Sequence, residues 1–467
     1  MKAVLFVGAL CAAAFSLQAC TVGPDYLKLE VATPVVFKEA PKGWKVARPA
    51  NGIDRGEWWR IYRDPLLNQL LPQVAINNQN LKAYEAAFRQ AQAIVREARS
   101  SLFPTVTASP SITRARSSGV TATTQTAELN GSWDLDLWGK VRRQIESEQA
   151  SAQASEAELA DLTLSAQAEL VTDYFQLRYQ DALARLLNDT AAAYERSLKI
   201  TQNQYAAGTA ARSDVITAQT QLASTRASAI AAGQLRAQYE HAIALLIGKS
   251  PAELTIPPGT LARGVPNVPL TIPSALLERR PDIAEAERKM QQQNALIGVA
   301  VAAFYPTVNL SAVIGYSGTP PLISATNLVW SLAASGSQTL LDGGARSAAV
   351  DAAGAAYDQS VANYRQTVLT AFKDVEDELS NLRVLGRQAA AQAEAVRLAR
   401  QAVTIALNEY QAGTAAYTTV VTAQATALTN EETALQIQQN RLVASANLIK
   451  ALGGGWDTSR LTRADAL

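Results

Sequence analysis

The stretch Tyr205-Ala-Ala-Gly-Thr-Ala-Ala-Arg-Ser-Asp-Val-Ile-Thr-Ala-Gln219 returns 205 residues later as Tyr410-Gln-Ala-Gly-Thr-Ala-Ala-Tyr-Thr-Thr-Val-Val-Thr-Ala-Gln424, identical at ten of fifteen positions. Each copy interrupts a very long helical pattern at one glycine, Gly208 or Gly413, and the pattern then resumes. A helix that stops at a glycine able to turn left-handed and restarts at a Ser/Thr/Asp cap is the tip of a helical hairpin. Two such tips, each on an Ala-rich arm, imply a duplicated chain that reaches far from its anchor.

Working outward from the first tip (208–213), the residues from Lys140 to Ala207 contain neither Gly nor Pro. A helix over 140–207 is about 100 Å long at 1.5 Å per residue. Such an arm needs a coiled coil or a tunnel wall, because no compact domain holds it. The return helix over 213–247 is about half as long, and the helix that ends at Ser101 has the length to stack end-to-end with it. The second half repeats the plan: a long helix over 345–412, a tip at 413–417 and a last helix over 417–452, stopped by Gly453-Gly454-Gly455. Gly354 and Gly386 inside the second arm each cost about 1 kcal/mol relative to alanine.

Ahead of each long helix the period changes from helical to two. In 104–138, Val106, Ala108 and Ile112, then Ala127, Leu129, Trp133 and Leu135, alternate with Thr, Ser, Asn, Glu and Asp around a turn at Ser117-Ser118-Gly119. In 306–341, Val308, Leu310, Ile314 and Tyr316, then Leu328, Trp330 and Leu332, do the same. This is strand-hairpin patterning with one strongly polar face. Trp133, Trp138 and Trp330 read as an aromatic belt at a membrane interface; a half-buried soluble hairpin is the plainer alternative.

The N-terminus reads as an export signal (1–19) followed by a lipobox-like Leu17-Gln18-Ala19-Cys20, with Cys20 the expected lipidated and palmitate-bearing residue. An ordinary cleavage site with a stray cysteine is the competing reading. Threonine after the cysteine points to sorting to the outer membrane. The chain then divides into an extended lead (20–65), a first repeat (66–250), a Pro-rich crossover (251–273), a second repeat (274–455) and a tail (456–467), expected to be loose. Of the 467 residues 18% are charged, the net charge is +1 and there is one histidine, His241. That composition points away from nucleic acid, cofactors and His-based metal or triad chemistry, and no nucleophile–base pair or phosphate loop indicates an enzyme.

Four strands cannot close a membrane barrel, and open edges are not tolerated in a bilayer. Several chains must therefore share one barrel. Two chains give eight strands and a filled interior, whereas three give twelve and a lumen, which the Thr/Ser/Asn/Asp faces favour. The fold class expected is a trimeric 12-stranded β-barrel, four strands per chain, continued by a long periplasmic α-helical barrel.

Cys20-Thr-Val-Gly-Pro-Asp-Tyr26, Trp58-Trp59 with Asp64-Pro-Leu66, Phe103-Pro104, Trp133-Asp-Leu-Asp-Leu-Trp-Gly139, Arg280-Pro-Asp282 and the two tips together resemble TolC-type outer membrane efflux proteins, closest to the NodT-like lipoprotein branch. The resemblance implies a homotrimer in outer membrane lipid, docked through a periplasmic adaptor to an inner-membrane pump, commonly of the resistance-nodulation-division type, and exporting small molecules. It implies passive gating at the tips, with Gly208, Thr209, Gly413 and Thr414 at the adaptor contact. By motif position Asp214 and Tyr410 stand where an Asp–Tyr contact closes neighbouring tips, and Ser213 stands where a Thr meets an Arg. Ala415 occupies that Arg position, so the second link is missing, and Thr419 and Thr422 replace an acidic ring. Asp214 also reads simply as a helix N-cap beside Ser213. An exit duct for type I protein secretion and a non-channel periplasmic coiled-coil lipoprotein are the rival functions.

Overall fold

The computed structural model describes residues 21–40, 56–268 and 273–467; the signal segment 1–19, Cys20 and parts of the lead and crossover lie outside the described residues. The elements run α1 (Pro65–Asn77), α2 (Gln79–Ser100), β1 (Thr105–Ser117), β2 (Val120–Leu135), α3 (Lys140–Ala206), α4 (Arg212–Leu246), α5 (Leu276–Arg279), α6 (Pro281–Ala302), β3 (Thr307–Gly318), β4 (Leu328–Ser337), α7 (Ala345–Gln411) and α8 (Tyr417–Ala451).

Each helix begins where a side chain or a glycine lets it. Asp64 caps α1, its carboxylate accepting from Leu66 N–H at 2.9 Å and Leu67 N–H at 3.1 Å, while Pro65 takes a first-turn position where a missing N–H costs nothing. Asn78 caps α2 in the same way. The long helices α3 and α7 each run 67 residues, about 100 Å. They start alike: Asp136 accepts from Val141 N–H (2.9 Å) and Arg142 N–H (3.0 Å), and Asp342 accepts from Arg346 N–H (3.2 Å). In both starts the arginine of that first turn also pairs with the capping carboxylate.

The shorter helices complete the arms. α4 packs on α3 and α8 on α7 as two hairpins, and α3 against α8 joins the hairpins. At the end of α4, Asn78 Nδ2 donates to Leu246 O at 2.9 Å, so the α1–α2 joint sits on the α4 terminus and α2 continues its line. At the end of α8, Arg280 Nη1 donates to Ala451 O at 3.1 Å, so α6 continues α8. Arg280 also pairs with Asp282 at 2.7 Å and Asp374 at 3.4 Å. Around these joints lies the main core, where Trp58, Trp59, Leu67, Leu71, Tyr174, Phe175 and Ile243 are buried together.

Three expectations change. Both tip helices start two residues before Ser213 and Thr418–Thr419 could cap them: α4 is capped by Ala211 and α8 by Ala416, extended and without a side-chain cap bond. Ser213 and Asp214 therefore lie inside the first turn of α4, because only three residues separate the turn at Gly208 from its start. The tail is not loose. Thr462 N–H and Oγ1 both donate to Glu156 (2.8 and 2.9 Å), Gln149 and Gln153 donate to Ala464 O (2.8 Å) and Thr462 O (2.9 Å), and Leu467 is buried beside Val95 and Ala152. Trp330 does not share a level with Trp133, as its register shows below.

Candidate functional site

The sheet is antiparallel in the order β1-β2-β3-β4, so β2 of the first repeat pairs with β3 of the second and both outer edges are free. The row Leu129–Ile314–Trp330 shows the apolar face, and Gly131–Ala312–Leu332 and Trp133–Leu310–Ala334 continue it toward the helices. Ile112, Trp330 and Leu332 are 73%, 75% and 77% exposed, so this face has no partner within one chain. The opposite face is polar and internally bonded: Asn130 Nδ2 to Ser109 Oγ (3.2 Å), Asn309 Nδ2 to Asp134 Oδ1 (2.8 Å), and Thr126 with Ser317 (3.3 Å). Oil on one side and a hydrated lattice on the other is the cross-section of a barrel wall around water.

Trp133 and Trp138 mark the end of the sheet nearest the helices. Trp133 Nε1 donates to Leu102 O at 3.0 Å, and Trp138 Nε1 to Pro306 O at 2.8 Å while its ring stacks on Tyr305 at 4.8 Å. Trp330 stands opposite Ile314, four residues along β3 from the Leu310 that faces Trp133, so the three indoles do not form one belt. The chain's lead is fixed at the same level. Val22 N–H donates to Trp138 O (3.1 Å), Arg143 donates to Val22 O (3.1 Å) and pairs with Asp25 (2.7 Å), and Gly23 passes so close to Gly298 that a Cβ would come within 2.4 Å of its Cα.

At the far end of the arms the two tips are built identically. Gly208 and Gly413 both have φ 75°, the left-handed turn that only glycine adopts without strain. In each, the next threonine's N–H reaches back to the carbonyl five residues earlier: Thr209 to Gln204 O at 2.9 Å, and Thr414 to Glu409 O at 2.9 Å. The glycine N–H bonds Tyr205 O (3.0 Å) or Tyr410 O (3.1 Å), which completes a Schellman closure of both helices. Each threonine hydroxyl adds a second bond to the same carbonyl, at 3.1 and 3.0 Å. Gly208, Thr209, Gly413 and Thr414 are all exposed.

Behind the tips, α3 presents Tyr194, Ser197, Thr201 and Gln204, at three- and four-residue spacing, to the other hairpin. This stripe was not read from the sequence, because small polar residues at helical spacing look like a solvated face. Here they are buried: Ser197 Oγ accepts from Gln424 Nε2 of α8 at 3.0 Å, and Gln204 Nε2 donates to Tyr410 O at 3.4 Å. Tyr410 packs against Tyr417 with ring centres 5.1 Å apart, and both are buried. The Tyr410 hydroxyl is fully covered and has no hydrogen-bond partner among the described residues. Thr201 lies beside it but spends its own proton on Ser197 O at 3.0 Å. Burial pushes the Tyr410 phenol above its usual pKa; Thr201 beside it opposes this, and the negative Asp214 nearby adds to it. Asp214 is half-buried in the first turn of α4, where the helix dipole favours its charge. The structure thus brings Asp214, Tyr410 and Tyr417 into one neighbourhood without an Asp214–Tyr410 hydrogen bond. Ser213 is exposed and stands apart from this cluster.

The sequence profile described as outer membrane efflux protein matches residues 70–249 and 272–454, one span per repeat. The chain belongs to the outer membrane efflux protein family. It is 29% identical to the probable efflux pump outer membrane protein TtgC of Pseudomonas putida, over 96% of this chain and 95% of that one. With the pyoverdine export outer membrane protein OpmQ of Pseudomonas aeruginosa the identity is 31%, over 90% and 92%. Among solved structures, the outer-membrane channel OprN superposes with a TM-score of 0.88 at 31% identity, covering 94% of this chain and all (100%) of that one. As a family member the chain is an outer membrane efflux channel, and a purely helical scaffold no longer describes it. Among the described residues no helix is long and apolar enough to cross a membrane. Within this efflux family member, the sheet supplies the apolar surface and the tips supply the distant end.

Proposed function

We propose that three copies of this chain form the exit duct of a tripartite efflux assembly, in which the four-stranded sheets close a 12-stranded barrel and the helices continue it as a periplasmic tunnel. The observation that carries this is the open sheet: two unpaired edges and an outward apolar face, which a bilayer accepts only once the edges are paired. Four strands per chain and a polar inner face set the number at three, because eight strands would leave no lumen.

The duct conducts passively, without a catalytic step. Its gate is the tip region, where Asp214 repeated three times is the charged constriction and the Tyr410–Tyr417 pair is the packed pivot behind it. A periplasmic adaptor engages the exposed Gly208–Thr209 and Gly413–Thr414 turns and links the duct to an inner-membrane pump of the resistance-nodulation-division type. The cargo is small molecules, the class that TtgC and OpmQ carry by their names. Cys20 carries the lipid anchor, and its neighbour Thr21 supports this. Thr21 is fixed beside Gly139, where a Cβ would come within 2.7 Å of it, at the level of Trp138. A lipid attached one residue earlier therefore starts at the membrane surface.

The test is native mass spectrometry of the purified full-length protein together with conductance in planar bilayers. A trimer that conducts supports the duct. A monomer or dimer, or a trimer without conductance, removes it.

A further inference from the structure

Charge on the four strands is sorted by face. The strands hold four charged residues: Arg114 and Arg116 on β1, Glu128 and Asp134 on β2. Alternation along a strand puts Arg114 and Arg116 on the face of Val106, Ala108 and Ile112, and puts Glu128 and Asp134 on the polar face with Asn130. Both cations thus point to the lipid side and both anions to the lumen side.

Their height is also specific. Arg114 pairs across the hairpin with Thr123, and Arg116 with Thr121. Thr123 lies ten residues along β2 from Trp133, which marks the end nearest the helices. At about 3.3 Å per residue and a strand tilt near 40°, that is about 25 Å of height, the thickness of an outer-membrane barrel's apolar band. Arg114 therefore stands at the far edge of the band, just where the exposed Ile112 gives way to threonine. The hairpin also overreaches its neighbours there, since β2 pairs with β3 only from Gln125 onward. Both arginines are exposed, and neither has an ion pair or hydrogen bond among the described residues.

We propose that Arg114 and Arg116, with the Thr121 and Thr123 hydroxyls opposite them, bind the phosphate groups of phosphorylated lipid in the outer leaflet. The proposal rests on the barrel reading above. Guanidinium forks match phosphate oxygens in pairs, and long arginine stems lie along the apolar face while their heads reach the headgroups. A trimer carries three such patches, which fix the height of the barrel against the leaflet that the lipid anchor does not touch.

The experiment titrates phosphorylated lipid A, dephosphorylated lipid A and inorganic phosphate into the purified trimer, read by native mass spectrometry and by thermal unfolding. Phosphorylated lipid A is expected to bind and to raise the unfolding midpoint, the other two are not. In R114Q/R116Q the affinity should fall about 25-fold, about fivefold per arginine, with trimer formation and single-channel conductance unchanged. Equal binding of the dephosphorylated lipid, equal stabilisation by inorganic phosphate, or unchanged affinity in the double variant overturns the proposal. Because wild-type conductance is read on the same preparation, a conducting trimer with unchanged lipid affinity strikes this proposal alone, whereas a non-conducting wild type strikes the barrel reading beneath it.

Discussion

Changing Tyr410 to Phe removes one oxygen and decides how the tip is held. In this structure the Tyr410 hydroxyl is covered and unpaired, and the cover comes from its own protomer. A neighbouring subunit therefore has no access to it without a rearrangement. A buried hydroxyl without a partner costs about 1–3 kcal/mol, so Tyr410→Phe should stabilise the packed tip by up to that amount per protomer. Each 1.4 kcal/mol is about tenfold in the open-to-closed ratio. The variant should conduct no more than the wild type in planar bilayers, and its tip amides should exchange hydrogen more slowly. The opposite sign follows if the hydroxyl holds the tip through Asp214, because losing a bond to a charged group costs about 1.5–3 kcal/mol. Raised conductance in Tyr410→Phe would refute the reasoning and restore the Asp214–Tyr410 latch.

Arg280→Met should unfold the equatorial joint between α6 and α8, because it strips Ala451 O, Asp282 and Asp374 of one shared donor; the expected loss is about 3 kcal/mol, read as a lower trimer melting temperature. Asp161 should make the protein more stable in mild acid: burial first, and the nearby Asp282 second, raise its pKa to about 6. The folded state holds that proton more tightly than the unfolded chain, so stability is highest below about pH 4, falls as pH rises to about 6, and is then flat. Asp161→Asn should abolish that slope in a pH series of melting curves, and an unchanged slope would reject the assignment. Gly208→Val and Gly413→Val should each cost about 1–2 kcal/mol, purely from the left-handed backbone, since nothing stands within 4 Å of the new Cβ at either site; faster amide exchange confined to the altered tip is the readout.

Much of this fold could be read from alternation and punctuation. The lumen and lipid faces of the strands follow from period two, and the hairpin tips follow from Gly208 and Gly413, because each signal depends on local geometry alone. The helix starts at the tips could not be read, because the three-residue connection after each Schellman turn sets them and leaves Ser213 and Asp214 inside the helix. The tail was misread because its anchors are a backbone N–H, a hydroxyl and a terminal Leu467, none of which forms a hydrophobic period. Trp330 was grouped with Trp133 and Trp138 by residue type, and only cross-strand register shows it higher on the wall. The buried stripe Tyr194–Ser197–Thr201–Gln204 carries no warning in its composition, since its burial depends entirely on the other hairpin.

The duplication explains the architecture, and the departures from it locate the moving parts. The two tips turn with the same φ and the same backbone bonds, so the backbone offers no reason for one to move before the other. Their side chains do. Tyr410 of the second copy is buried against Tyr417, whereas its counterpart Tyr205 in the first copy is exposed, and Arg212 replaces the second tyrosine. The second hairpin is therefore clamped by an aromatic pair, while the first carries the exposed Arg212 and the half-buried Asp214 with no ring over them. The joints differ in the same sense: Asn78 holds the first with one neutral bond, and Arg280 holds the second with a carbonyl and two carboxylates. Tip and joint both make the first repeat the looser of the two. An opening motion that pivots α3 and α4 against a stationary α7 and α8 breaks the Ser197–Gln424 bond and the Gln204 contact and leaves the clamps of the second repeat whole.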